Sequence, residues 1–264
     1  MLLIAFIAFS QIASTQNIVA ADLKKLHHKE DSLQMLAEKL ILDSLTAGRM
    51  RSDSQFVKTL IRSLQIRNSF YYPFDSVHGV AKLYAPDSSF RILSWAISFD
   101  DYYSRQRAAI QFKTRDGSLK LIPLRDYSEF TGKPLDSVRT KDNWIGAVYY
   151  NIIETQYNAK KYYTLLGFDD NSITTNKKWI EVMTFSERNE PIFGGAYFTF
   201  EKDSMRRAPQ FRYNIEYKKE ARALLDYDPE MKLIIIDHLI SESNEPDNKS
   251  TYVPDGDVEA FQWK

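Results

Sequence analysis

Few side chains in this sequence combine the type and the spacing that chemistry requires. The chain of 264 residues has four histidines, His27, His28, His78 and His238, and no cysteine. Without cysteine there are no disulfides, thiolate metal sites, cysteine nucleophile or lipoprotein acyl anchor. His27 and His28 are neighbours in a stretch of helical periodicity, where adjacent side chains diverge by about 100° and cannot easily share a metal ion. Asp237-His238 with Ser241 suggests a hydrolytic triad. Adjacent residues of a strand point to opposite faces, however, and no Gly-x-Ser-x-Gly nucleophile elbow occurs in the chain. Asp237 at the end of an apolar run is instead expected to cap a turn or pair with an arginine.

Carboxylate doublets stand at Asp100-Asp101 and Asp169-Asp170, and Asp255-Gly256-Asp257 marks a turn. Glycoside hydrolysis needs two carboxyls across a groove, and no spacing here singles out a pair. Calcium needs several oxygens converging from one loop, and the EF-hand spacing is absent, so these acids read as solvated turn residues. Gly194-Gly195 lacks the lysine and further glycines of a phosphate loop and reads as a bulge or bend. No catalytic, cofactor-binding or metal residue is assigned. The remaining signal is aromatic: doublets at Tyr71-Tyr72, Tyr102-Tyr103, Tyr149-Tyr150 and Tyr162-Tyr163. A doublet on a strand turns one ring inward and one outward, which makes Tyr71, Tyr72, Tyr102, Tyr103, Tyr149 and Tyr150 a candidate surface for contact with a glycan or a protein.

The elements that must position these residues are mostly strands. Residues 22–47 carry Leu26, Leu33, Leu36 and Leu40 at helical steps, with Gly48 placed to end the helix. A second helix is predicted from Ser52, with Gln55 completing a capping box and Phe56, Val57, Leu60, Ile61 and Leu64 forming its apolar stripe. Residues 22–67 thus form a helical hairpin that must dock its stripes elsewhere. In residues 80–99 two strands flank the turn Ala85-Pro86-Asp87-Ser88-Ser89. Leu93, Trp95, Ile97 and Phe99 alternate with Ile92, Ser94, Ala96 and Ser98, the pattern of a half-buried strand. Asp116-Gly117 signals a further hairpin, and Pro123 confines its second strand to an edge or an end. Strands at 145–153 and 161–168 are expected to be joined by residues 154–160. The run Leu233-Ile234-Ile235-Ile236 lacks alternation and is expected to be covered on both faces. About a dozen strands at irregular intervals make residues 76–264 a mainly β fold, an antiparallel meander of sandwich or propeller-like type preceded by the helical hairpin.

Composition bounds the function further. Aromatics make up 14% of the chain, and Lys+Arg and Asp+Glu both total 35, so no global field recruits nucleic acid. Residues 1–15 open with an apolar run and close on Ala13-Ser14-Thr15, as a secretory signal does, although no basic residue precedes the run. With that segment removed, no stretch is long enough to span a bilayer as a helix. The stretches APDSSFRILSW, YYTLLG, IIIDHL and YVPDGDVEAFQWK resemble secreted proteins of Bacteroidota that have no assigned activity. The resemblance implies export and a β domain, continuation past Trp263, and no catalytic residue. The sequence therefore leads to an exported, non-catalytic binding module of the periplasm or cell surface, with a protein or glycan partner and no cofactor. The competing reading is a secreted hydrolase acting on glycan or peptide through a carboxylate pair.

Overall fold

A computed structural model describes residues 18–100, 103–200 and 207–264. The expected signal at 1–15, Asp101 and Tyr102 lie outside the described residues. Among these residues, two helices, α1 (Ala20–Leu42) and α2 (Thr46–Leu64), precede thirteen strands. Strands β1 (Ala81–Tyr84), β2 (Phe90–Ser98), β3 (Ser104–Phe112) and β4 (Lys120–Leu124) form an antiparallel meander in that order. The second sheet runs β5 (Arg139–Thr140), β9 (Pro191–Phe193), β8 (Thr175–Phe185), β7 (Lys160–Asp169), β6 (Val148–Tyr157), with β10 (Arg212–Lys218) also paired to β8. The third is β11 (Leu225–Asp228), β12 (Leu233–Ser241) and β13 (Tyr252–Phe261). The architecture is mainly β, with several antiparallel sheets following a helical hairpin.

Three cores explain the stacking. Leu26, Leu33 and Leu40 of α1 and Phe56, Leu60 and Leu64 of α2 close over Leu93, Trp95 and Ile97 of β2. On the opposite face of the same strand, Phe90 and Ile92 pack with Trp144, Tyr149, Tyr163, Leu165 and Trp179 of the second sheet. Leu166, Ile180 and Val182, on that sheet's far side, meet Ile215, Leu225, Ile234 and Ile236. Alternate residues of β2, β7 and β8 thus serve different cores, and hairpin and sheets stack as successive layers. Strand β2 is buried on both sides rather than half-buried, because Ser94 faces β6 and its Oγ accepts the Tyr149 N–H at 3.0 Å.

Three local expectations are corrected. The first helix ends at Leu42, where Asp43 turns extended, and Gly48 lies inside α2. Asp43 Oδ1 accepts the Leu45 N–H at 2.9 Å, and a Cβ on Gly48 would sit 2.0 Å from Asp43 Oδ2. Gly48 therefore permits a close approach and does not stop a helix. Ser52 is buried in the interior of α2 and caps nothing at its start. In β12, Ile234 and Ile236 are buried while Leu233 and Ile235 are partly exposed, because the third sheet is outermost and only one of its faces is covered. Strands β6 and β7 are joined by two residues, Asn158 and Ala159, at φ +47° and +60°. Such a tight connection suits the twist of a hairpin, and it extends both strands beyond the expected limits. Strand β4, carrying Pro123, is an edge strand as its proline requires.

Candidate functional site

Of the six tyrosines singled out from the sequence, the five among the described residues do not form one surface. Tyr72 and Tyr149 are interior, so they are unavailable for contact. The Tyr72 hydroxyl donates to Glu30 Oε2 and lies 3.0 Å from His27 Nδ1. The Tyr149 hydroxyl donates to Glu181 Oε2 at 3.0 Å and accepts from Trp144 Nε1 at 2.7 Å. Burial pushes the Tyr149 phenol well above its ordinary range, with the Glu181 carboxylate adding to the effect. Of their partly exposed neighbours, Tyr71 packs edge-on with Phe70 under the Lys113 ammonium. Tyr150 ties the second sheet to the third by donating to the Leu225 carbonyl at 2.6 Å. Tyr103 stands elsewhere, on the wall of a cleft.

That cleft, of about 380 Å³, is lined by Arg49, Asp100, Tyr103, Asp170, Asn171 and Lys219 among others. One member of each carboxylate doublet, Asp100 and Asp170, lines it, yet its charges are committed to the fold. Arg49 donates to the carbonyls of Ser98 at 2.7 Å and Asp43 at 2.8 Å. Lys219 donates to Asp170 Oδ1 at 2.6 Å and to the carbonyls of Asp170 and Ser172 at 2.7 and 2.8 Å. Asp100 Oδ1 accepts the Tyr103 N–H at 2.8 Å. Asp169 is turned away, accepting from Gln106 Nε2 at 3.1 Å and from the Asn171 N–H at 3.0 Å. Burial raises the Asp169 carboxyl above its usual range.

The triad suggested around His238 is not assembled. His238 Nδ1 lies 2.8 Å from Asp255 Oδ2, whereas Asp237 Oδ2 accepts the Leu224 N–H at 2.7 Å. Ser241 is engaged with Thr251 Oγ1 at 2.7 Å and the Glu245 N–H at 2.8 Å. Asp237 thus fastens the start of β11 to β12, a cross-strand contact in place of the turn cap or arginine pair expected of it. No cluster of three or more metal-ligating His, Cys, Asp or Glu side chains occurs among the described residues.

Aromatic exposure gathers instead at the end of the β6–β7 hairpin. The register pairs Tyr157 with Lys160, Thr155 with Tyr162 and Ile153 with Thr164. Directly opposed residues share a face, so Tyr157, Lys160 and Tyr162 project on the same side as Leu166, toward the third sheet. Trp263, just past β13, reaches this face and donates Nε1–H to Thr164 Oγ1 at 3.1 Å. Its ring centroid is 5.6 Å from that of Tyr162 and 6.1 Å from that of Tyr197, and Tyr162 and Tyr197 are 5.7 Å apart. Lys160 Nζ sits 5.3 Å from the Tyr162 centroid. Tyr157 is 60% exposed and Tyr197 36%, with Tyr162 and Trp263 intermediate. Tyr197 lies so close over Gly195 that a Cβ there would come within 2.3 Å of its ring, which gives the glycine a steric reason. None of the four belongs to the six-residue surface expected from the sequence; Tyr162 stands out in the sequence only as part of a doublet, whereas Tyr157, Tyr197 and Trp263 carry no such signal. A recognisable two-residue turn at Asn158-Ala159 would have revealed Tyr157, but no local pattern marks the other two.

No protein-family model matches this sequence, and searches of curated proteins and of solved structures gave no significant match. No helix among the described residues is long and apolar enough to cross a membrane.

Proposed function

We propose that this chain is an exported, non-catalytic binding module of the periplasm or outer cell surface, and that the ledge of Tyr157, Tyr162, Tyr197 and Trp263 is its contact surface. The observation that carries this reading is the contiguity of the Tyr162, Tyr197 and Trp263 rings at 5.6–6.1 Å, with Tyr157 on the same face of the hairpin and 60% exposed. Rings grouped on a surface supply contact area with little side-chain entropy to lose. The apolar opening of the sequence supports export, and a chain without cysteine tolerates an oxidising compartment. The resemblance to secreted Bacteroidota proteins supports the same location.

A second reading keeps the hydrolase, with Asp100 and Asp170 acting across the cleft. The raised carboxyl of Asp169 beside the Asp170 wall favours it, since shifted carboxyls concentrate at catalytic sites. Against it stands the capture of Asp170 by Lys219. The two separate by co-sedimentation with isolated envelope fractions, followed by assay of the supernatant for released sugars and peptides. The binding module predicts retention without release, lost in the Tyr157→Ala/Trp263→Ala double variant and kept in Asp170→Asn. Product release abolished by Asp170→Asn would replace it with the hydrolase.

A further inference from the structure

We infer that the ledge is a carbohydrate platform, taking the flat face of pyranose rings in an extended glycan. This rests on the binding-module reading above and specifies its ligand.

Size argues first. Two exposed and two half-buried rings offer on the order of 300 Å² of aromatic surface. A stable protein–protein interface needs about 800 Å² from each partner. The ledge matches a few sugar units better than a folded protein.

Shape argues second. Proline-rich peptides dock by lowering their ridges into grooves between aromatic side chains. At centroid separations of 5.6–6.1 Å, Tyr162, Tyr197 and Trp263 are in mutual contact and leave no groove between them. Trp263 is also held by its bond to Thr164 Oγ1, so its indole N–H is not offered to a peptide carbonyl. The rings meet at interplanar angles of 48° to 83°, so the set presents a fixed, faceted surface of ring faces and edges.

Chemistry argues third. A pyranose has an apolar face of C–H groups and a rim of hydroxyls. The rings supply the complement to that face. The Lys160 ammonium lies 5.3 Å from the Tyr162 centroid at the hairpin end of the ledge, where a hydroxyl or acidic substituent of the sugar can be met. The tight Asn158-Ala159 turn fixes Tyr157 opposite Lys160, so ring and cation are presented together.

The readout is built into the chain. Of the four tryptophans, Trp95, Trp144 and Trp179 are buried and Trp263 is partly exposed at the ledge. Emission changes on adding ligand to the full chain therefore report Trp263, and Trp263→Phe identifies the signal. The probes are cellohexaose, chitohexaose and mannohexaose, with a proline-rich decapeptide as the competing class. Saturable perturbation by at least one hexasaccharide is expected, weakened about fivefold to tenfold in Tyr157→Ala and nearly restored in Tyr157→Phe. Tyr157 projects from a hairpin end, so its truncation leaves the cores intact, and unchanged far-ultraviolet circular dichroism checks this.

Perturbation by the peptide and by none of the three sugars overturns the carbohydrate assignment while leaving a binding ledge in place. Sugar binding that is unchanged in Tyr157→Ala and in Tyr197→Ala overturns the ledge as its site. No response to any probe at millimolar concentration, with envelope retention still dependent on Tyr157 and Trp263, also overturns the carbohydrate assignment but spares the proposed function. Loss of that dependence overturns both.

Discussion

Replacing Arg212 by methionine tests the physical link between the buried framework and the ledge. Arg212 on β10 faces Glu181 on β8, with Nε 2.7 Å from Oε1, and their side chains are 0% and 3% exposed. The guanidinium also donates to the carbonyls of Pro134, Ser137 at 2.9 Å and Phe193 at 3.3 Å. Arg212→Met leaves a buried carboxylate without its cation, at a cost of about 3–5 kcal/mol, and strips three carbonyls of a donor, which adds to it where water does not enter. Against a total stability of about 5–15 kcal/mol, this is a large fraction. A loss of about 4 kcal/mol corresponds to a Tm about 8–16 °C lower for a chain of this size. Removing the carboxylate as well, in Glu181→Leu/Arg212→Met, should recover about 2 kcal/mol or more, because the unpaired charge disappears. Urea unfolding of the wild type, both single variants and the double variant closes the cycle. The pair also secures the bend at Gly194, φ +82°, where a Cβ would lie 2.8 Å from Arg212 Nη2, and that bend leads the chain to Tyr197. A loss below about 1 kcal/mol in Arg212→Met, or a double variant as unstable as the sum of the singles, would refute the reasoning.

Three smaller perturbations follow from the same geometry. Burial of Asp87 opposes its ionisation, but hydrogen bonds from Lys161, Ser89 and Tyr163 outweigh this and hold its carboxyl at about 2, below the ordinary 3.8. Its stabilising contribution is present above about pH 4 and lost as pH falls toward 2, so Asp87→Asn should flatten the acid limb of a Tm-against-pH curve; an unchanged limb contradicts the assignment. The Asp255 hydrogen bond raises His238 above 6.5, so its contribution is full below about pH 6.5 and lost as pH rises through the folded pKa. Proton NMR of the imidazole should show that pKa falling in Asp255→Asn, and an unmoved titration would sink the pairing. Ala159 at φ +60° carries strain of about 1–2 kcal/mol that glycine relieves, offset by about 0.4–1 kcal/mol of unfolded-state entropy. Ala159→Gly should therefore raise the urea midpoint slightly, whereas a lower midpoint would exclude the turn geometry described.

The fold class was legible because alternation in β2, β3 and β10 and punctuation by Asp116-Gly117 and Pro123 are local signals. What they could not carry is which layer meets which face. Parity made one ring of Tyr149-Tyr150 face inward, but the Glu181 carboxylate that receives Tyr149 lies 32 residues away. Asn158-Ala159 lacks the glycine that normally marks a two-residue hairpin, so no local signal carries the β6 and β7 strands as far as Tyr157. The uniformly apolar run of β12 masked a one-sided burial pattern, since isoleucines at an outer face need no polar alternation to fold. Gly48 resembled a helix stop because sequence shows the residue and not the Asp43 carboxylate packed against it. The ledge was hidden for a topological reason. Its rings come from Tyr157 and Tyr162 on one hairpin, a loop residue beyond β9, and Trp263, which reaches Thr164 across 99 positions.

Residue-resolved nitration of the tyrosines by tetranitromethane, with and without saturating envelope material, tests the contact surface most directly. The account predicts that Tyr157 and Tyr197 become protected while Tyr103 at the cleft reacts as before. Protection of Tyr103 with undiminished reaction at Tyr157 and Tyr197 would contradict it and place the contact at the cleft.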